Sequence, residues 1–197
     1  MKEFYMDIAI DMKYFEALMD RTLESLIDIY TKFFKVIGDE LDVVQFWGDL
    51  GTQRGPLISP ETYRKYIKPR EAELVRLTKK ITNAKVALHT CGSVYEFIPD
   101  LIDAGYDILN PVKTSAADME SGRLKREFGK DLVFWGGIDT QRVLPFGTVE
   151  EVRDEVKRMI DTLAPDGGYI LAPCHNIQAN TPPENVLEMF EAAIDYS

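Results

Sequence analysis

The 197-residue chain has few of the residues that usually carry redox or metal chemistry, with only two cysteines and two histidines. Two cysteines cannot build a disulfide scaffold, and in a cytosolic chain they are better explained as free thiols or metal ligands than as a disulfide. All four residues lie in two short segments, LHTCGS at 88–93 and APCHNI at 172–177. This concentration makes both segments candidates for a functional site.

Other absences exclude whole classes of function. The net charge is −10 and the acidic residues are spread along the chain, so there is no basic patch of the kind that binds nucleic acid. No apolar run reaches the roughly 20 residues of a membrane span, and the N-terminus lacks the apolar core of a signal peptide. We therefore expect a cytoplasmic protein without a nucleic-acid or membrane partner. No linker or low-complexity tract divides residues 1–197, which indicates a single domain.

The dominant pattern is an alternation of short apolar runs with amphipathic helical stretches. A first helix is predicted over Met12–Ile37, with Gly38 as its C′ residue, a position that usually takes the left-handed conformation. Ser59 is predicted to cap a second helix, and Thr148 with Glu151 to form a capping box at the start of a later one. Five strands follow, each succeeded by a helix: DVVQFW (42–47), KVALH (85–89), YDILNPV (106–112), LVFWGGI (132–138) and GYILAP (168–173). Continuous apolar strands alternating with helices predict an α/β fold with a buried parallel sheet. Trp47 and Trp135 are expected in the core.

Side chains that can bind a metal or transfer a proton follow the predicted strands. In parallel α/β folds, catalytic and ligand-binding residues gather at these strand ends. His89 and Cys91 are two residues apart at a strand end, so their side chains share one face. Cys174 follows a later strand at an equivalent place. If the strands curl into a barrel, these three residues can converge to hold Zn²⁺ and leave a position for substrate. The alternative, which the pattern leaves open, is two buried thiols and a hydrogen-bonded core histidine.

Five further residues at the strand ends are candidates for catalysis or substrate contacts. His175 can act as a general acid or base, or as a structural histidine. Asp49 is the second catalytic candidate, and it can instead ligate the metal or cap a turn. Arg54, Asn110 and Asp139 are the candidates for substrate contacts, although Arg54 also suits a solvated loop and Asp139 suits a helix cap.

Four segments resemble the uroporphyrinogen decarboxylase superfamily, and in particular its corrinoid-linked methyltransferase branch. They are GDLGTQRGPLISPETYRKYIKP (48–69), HTCGSVYEFIPDLIDAGYDILNPV (89–112), FWGGIDTQRVLPFGTVEEV (134–152) and YILAPCHNIQANTPPENV (169–186). The resemblance implies a (β/α)8 TIM barrel, of which the chain matches about the last five strand–helix units. An eight-stranded barrel typically needs about 250 residues, so this chain is too short for a complete one.

The resemblance also implies a cofactor and partners. The His-x-Cys … Cys zinc pattern of the methyltransferase branch falls on His89, Cys91 and Cys174. Such enzymes move a methyl group between a methylcorrinoid, carried on a separate corrinoid protein, and a small thiol such as coenzyme M, in anaerobic one-carbon metabolism.

Two alternatives accompany this hypothesis. The decarboxylase branch uses no metal, binds a polycarboxylate tetrapyrrole and has a last-strand histidine that His175 matches, but it does not need the two cysteines. A non-catalytic or truncated member that docks a corrinoid protein is the third possibility. The resemblance implies that about three strand–helix units of the family barrel would precede the part that this sequence matches. Because an open sheet exposes its edges, we expect a homo-oligomer or a partner chain that supplies the missing barrel half.

Overall fold

Five strands form one sheet in the order in which they occur along the chain. The computed structural model describes Met6, Ile8 and residues 10–196. The strands are β1 (Val43–Trp47), β2 (Lys85–His89), β3 (Ile108–Val112), β4 (Val133–Ile138) and β5 (Tyr169–Pro173). The pairs β2–β3, β3–β4 and β4–β5 are parallel. Chain-order pairing of parallel strands requires a crossover between neighbours, which confirms the predicted strand–helix repeat.

Helices precede the first strand, connect successive strands and follow the last strand. They are α1 (Met12–Ile37), α2 (Pro60–Thr62), α3 (Lys68–Ile81), α4 (Ile98–Ala104), α5 (Ser121–Phe128), α6 (Val143–Phe146), α7 (Val149–Leu163) and α8 (Pro183–Tyr196). A π-helical turn, Tyr63–Ile67, joins α2 to α3. In the part of the chain that the structure describes, no helix is both long enough and apolar enough to cross a membrane.

The helix ends show which local sequence signals were sufficient to predict how a helix begins or ends. Ser59 caps α2 by accepting a hydrogen bond from the Thr62 N–H, and Thr148 with Glu151 forms the predicted capping box of α7. The role predicted for Gly38 was wrong. Its φ of −59° and ψ of −31° are right-handed, and its N–H bonds to the Phe34 carbonyl, so the chain continues into a 3₁₀ turn instead of reversing.

The described chain divides into two compact units. The first comprises residues up to Val44, Ser59–Val86 and Pro99–Tyr106, and the second comprises Gln45–Ile58, Ala87–Ile98 and the chain from Asp107 onward. The second unit holds the carboxyl ends of all five strands. Every candidate site residue therefore belongs to one unit, and the geometry of the site is described within it.

In the first unit, the carboxyl group of Glu71 on α3 makes the stability of the folded chain depend on pH. Burial raises the pKa of Glu71 to about 7, although the hydroxyl of Tyr63, which donates to it at 2.6 Å, acts in the opposite direction. An unfolded glutamate titrates near 4.3, so between these values the folded state binds more protons. The contribution of Glu71 to stability is therefore fully present below about pH 4 and is lost as the pH rises through about 7.

A Glu71→Gln variant should remove this dependence, because glutamine stays neutral and can still accept the hydrogen bond from Tyr63. We expect it to unfold like the parent near pH 4 and to exceed the parent by about 1–3 kcal/mol near pH 8. Urea denaturation across this range measures the difference. Glu73→Gln, an exposed position on the same helix, is the matched control and should leave the pH slope unchanged. A stability difference that does not vary with pH would contradict the assignment.

Candidate metal centre

His89 and Cys91 lie at the carboxyl end of β2 with their side chains on the same side, as their spacing predicts. The His89 Nε2 atom is 3.7 Å from the Cys91 Sγ atom. Asp49, two residues past β1, completes a group of three residues whose ligand atoms all lie within 4.8 Å of one another. Among the described residues, this is the only cluster of three or more His, Cys, Asp or Glu side chains suited to a metal ion.

Backbone hydrogen bonds hold the chain after β1 against the chain after β2. The Gly48 N–H donates to the His89 carbonyl at 2.9 Å, and the Leu50 N–H donates to the Thr90 Oγ1 atom at 2.9 Å. The Asp49 carboxylate accepts from the Cys91 N–H, also at 2.9 Å. Asp49 therefore fixes the position of Cys91 and lies beside its thiol.

A glycine permits this close approach. Gly92 has a φ of +86°, and a Cβ atom there would lie 2.6 Å from the Thr52 carbonyl oxygen. Both the left-handed backbone and the backbone-to-backbone contact favour a residue without a side chain. Gly92 thus allows the turn that carries Cys91 to sit directly on the loop that carries Asp49.

Three neighbours orient His89, a role that the sequence did not assign to any of them. The Nδ1 atom of His89 is 2.7 Å from the Asn110 Oδ1 atom, and Gln45 Nε2–H donates to the same oxygen at 2.8 Å. The Trp47 indole stacks on the imidazole, with ring centroids 4.1 Å apart. Trp47 is 71% exposed, so its predicted place in the core was wrong. Period-two alternation puts Gln45 and Trp47 on one face of β1. This alternation was the sequence signal that could have identified the two residues as neighbours in the site.

Cys174 follows β5 and is buried. Its N–H donates to the Ile138 carbonyl at 2.8 Å, and its Sγ atom is 3.6 Å from the Thr140 Oγ1 atom. It does not belong to the cluster of Asp49, His89 and Cys91. It is nevertheless near enough that its charge contributes to the pKa of Cys91.

The electrostatics of the site disfavour a free thiolate. Burial raises the pKa of the Cys91 thiol, and the Asp49 carboxylate raises it further, whereas the buried Lys113 opposes both. A divalent cation reverses this balance, because it deprotonates a coordinating thiol. The arrangement therefore suits a cation better than it suits an isolated nucleophilic cysteine.

A cavity of about 460 Å³ adjoins His89. Its walls include the indoles of Trp47 and Trp135 and the side chains of Asn110 and His175. None of the described residues that line it is Lys, Arg, Asp or Glu. Apart from the two histidines, this chain offers the cavity apolar surfaces and carboxamides, which favour a ligand with a neutral body.

The remaining candidates do not belong to this cluster. Arg54 is exposed on the loop after β1. Asp139 accepts hydrogen bonds from the N–H groups of Gln141 and Arg142 at 2.6 and 3.0 Å, just before α6. It lines a different cavity, of about 260 Å³, which His89 does not line. His175 is exposed and faces the larger cavity.

Residues 1–196 match the family described as uroporphyrinogen decarboxylase (URO-D). The chain belongs to the uroporphyrinogen decarboxylase family. The resemblance seen in the four sequence segments is thereby confirmed.

Relatives within the uroporphyrinogen decarboxylase family carry two kinds of name. The methylcobamide:CoM methyltransferase MtaA of Methanosarcina barkeri is 29% identical over 141 residues, which is 71% of this chain and 38% of that protein. The uroporphyrinogen decarboxylase of Geobacter sulfurreducens is 24% identical over 178 residues, 90% of this chain and 48% of that protein. The chain therefore spans less than half the length of these two relatives.

A solved structure confirms the fold class. A methyltransferase from Methanosarcina mazei superposes with a TM-score of 0.76 at 22% identity, over 99% of this chain and 53% of that one. The five strand–helix units thus have the arrangement of the corresponding units in a family (β/α)8 barrel. At this identity the likeness concerns the fold alone.

The donor atoms in this family member fit a zinc ion. An imidazole nitrogen, a thiol sulfur and a carboxylate oxygen are all ligands that Zn²⁺ takes in proteins, and the cluster provides one of each. The Nδ1 atom of His89 is hydrogen-bonded to the Asn110 amide oxygen, and metal-binding histidines usually have such a partner on the nitrogen that does not bind the metal.

Proposed function

We propose that this chain carries the metal centre of a zinc-dependent methyltransferase, which moves a methyl group between a methylated corrinoid protein and a small thiol or related acceptor. The observation that carries the proposal is the convergence of His89 Nε2 and Cys91 Sγ beside a cavity with aromatic walls. The relative named a methylcobamide:CoM methyltransferase supports it.

In this proposal His89, Cys91 and Cys174 hold the ion, and Asp49 stands beside it as a further oxygen donor. A zinc ion bound there would supply the charge that deprotonates a thiol at neutral pH and keeps its sulfur nucleophilic. His89 and Cys91 have the geometry for this role. Cys174 contributes its thiol from the end of β5, where its charge acts on the pKa of the Cys91 thiol.

The chain's own residues then bind and orient the reactants. Asp49, within the cluster, and His175, on the cavity wall, are the two groups placed to accept the single proton that the thiol releases. Trp47 and Trp135 enclose the body of the thiol and exclude water. Alignment of the sulfur with the methyl carbon lets the carbon–sulfur bond form as the carbon–cobalt bond breaks, with its electron pair remaining on cobalt.

Substrate contacts and the partner chain are also proposals. Asn110 lines the cavity, whereas Arg54 on the loop after β1 and Asp139 at the head of α6 offer charged groups to larger ligands. A homo-oligomer, or a second chain that completes the barrel, remains a prediction.

Metal-free decarboxylation is the second candidate function. The Geobacter relative named a uroporphyrinogen decarboxylase aligns with 90% of this chain, more than the methyltransferase relative does. A polycarboxylate substrate, however, calls for cationic side chains, and the described lining of the cavity contains no Lys or Arg. This difference favours methyl transfer.

The proposal is tested with protein purified without chelator. We expect about one zinc per chain by elemental analysis, and zinc-dependent transfer of a methyl group from free methylcobalamin to a thiol, followed by the change in the corrinoid absorption spectrum. Apoprotein prepared with chelator is the control, and added zinc should restore its activity. No zinc in either native or reconstituted protein would overturn the proposal, and turnover of a porphyrinogen by apoprotein would establish the decarboxylase. Full zinc occupancy without methyl transfer would identify a non-catalytic docking member.

A further inference from the structure

We propose that Gln45 and Asn110 are positioning residues that fix the tautomer of His89, so that its Nε2 lone pair faces the metal site. The inference rests on the proposed function only for the identity of the ion, because the tautomer is a property of the metal-free chain. It also assigns Asn110 a role other than direct substrate binding.

The sheet register places the two partners side by side. His89 on β2 and Asn110 on β3 are direct partners in the parallel ladder, so their side chains emerge next to each other on one face. The Thr90 N–H donates to the Asn110 carbonyl at 2.6 Å, which fixes the backbone at the same point. As a result the Asn110 Oδ1 atom lies 2.7 Å from His89 Nδ1.

Gln45 determines which end of the Asn110 amide meets the histidine. Its Nε2–H donates to Asn110 Oδ1 at 2.8 Å. If the Asn110 amide alone were rotated by half a turn, its NH₂ group would face the Gln45 NH₂ group, and the hydrogen bond between the two side chains would be lost. Asn110 is only 8% exposed, so the rotated arrangement forfeits a hydrogen bond at a buried side chain.

With its oxygen held toward His89, Asn110 can only accept a hydrogen bond. In the neutral imidazole, Nδ1 must then carry the proton and Nε2 the lone pair. Nε2 is the nitrogen that faces Cys91 Sγ. The stacked Trp47 indole limits rotation of the ring, so the lone pair keeps its direction.

The tautomer can be read directly from the nitrogen chemical shifts of metal-free protein labelled with ¹⁵N-histidine. The chain has only two histidines, and a His175→Gln variant assigns the signals. We expect His89 in the parent to be protonated at Nδ1. In Gln45→Leu the Asn110 amide is free to rotate, so the population protonated at Nε2 should rise and zinc affinity should fall by about tenfold, within the range for such partners.

A rescue variant separates tautomer control from general damage. Asn110→Asp presents only acceptor oxygens, whichever way it is rotated. In the double variant Gln45→Leu/Asn110→Asp, His89 should return to the Nδ1-protonated form, and zinc affinity should return to within a few-fold of the parent. Gln53→Leu, which removes an exposed glutamine bonded to Gln141, is the matched control and should change neither reading.

The outcomes separate this inference from the proposed function. If Gln45→Leu leaves the tautomer unchanged, or if the aspartate does not restore it, the inference is overturned even when zinc binds. If the tautomer responds as expected but no variant binds zinc, the positioning role stands and the zinc proposal fails.

Discussion

Replacing Cys91 with serine is expected to lower zinc affinity by about 100-fold or more, beyond the roughly 10- to 100-fold loss typical when a residue that hydrogen-bonds to a metal ligand is changed. The Cys91 thiol is one of only two thiols in the chain, and its Sγ atom lies 3.7 Å from the His89 Nε2 atom. A serine hydroxyl has a similar shape but is a poor zinc ligand. Competition with a chromophoric chelator measures the affinity.

The same measurement decides between two sets of ligands. The sequence pairs His89 and Cys91 with Cys174, whereas the structure groups them with Asp49. If Cys174 is a ligand, Cys174→Ser should weaken zinc binding more than Asp49→Asn does. Cobalt-substituted protein provides an independent count, because each thiolate bound to Co²⁺ adds intensity to the near-ultraviolet charge-transfer band. The band should weaken by about half in Cys174→Ser if two thiolates bind.

Unchanged zinc affinity in Cys91→Ser would remove the main support for the metal centre. A loss in Asp49→Asn without any loss in Cys174→Ser would instead replace Cys174 by Asp49 in the ligand set. Circular dichroism of each variant establishes that the fold is retained, so that a loss of zinc reports on the site.

Gly92→Ala should damage both stability and zinc binding. An alanine at a φ of +86° is strained, and its Cβ would approach the Thr52 carbonyl oxygen to 2.6 Å, a contact that requires the backbone to move. Strain of this kind costs on the order of 1–3 kcal/mol. The movement would also separate Cys91 from the Asp49 loop, so zinc affinity should fall by more than about tenfold.

Gly167 provides a matched control for this substitution. Its φ of +80° is nearly the same, but a Cβ there meets nothing within 4 Å. Gly167→Ala should therefore show only the cost of a left-handed alanine, about 1–2 kcal/mol, with zinc binding intact. Urea denaturation and zinc titration of both variants measure the two effects. Equal losses of stability with zinc binding retained in both would show that the contact with Thr52 is unimportant.

Much of the fold followed from local patterns. Continuous apolar runs predicted the strands, and helical periodicity predicted α1 with its observed bounds, Met12–Ile37. Ser59 and the pair Thr148/Glu151 capped helices as expected, because a cap depends only on residues within one turn. The conformation of Gly38 could not be predicted in this way. A Cβ there would lie 3.0 Å from the Thr82 side chain, so close packing accounts for the glycine without a left-handed turn.

For the site, the sequence by itself determined that His89 and Cys91 share a face, because alternation along an extended chain is a local property. Only the tertiary structure decided what surrounds them. Strand register brings Asn110 opposite His89. From another strand, Trp47 stacks on His89 and Gln45 donates a hydrogen bond to Asn110. Such contacts depend on how separate strands are aligned. A shift of one residue would turn each of these side chains to the other face, and no spacing within a single segment encodes that alignment.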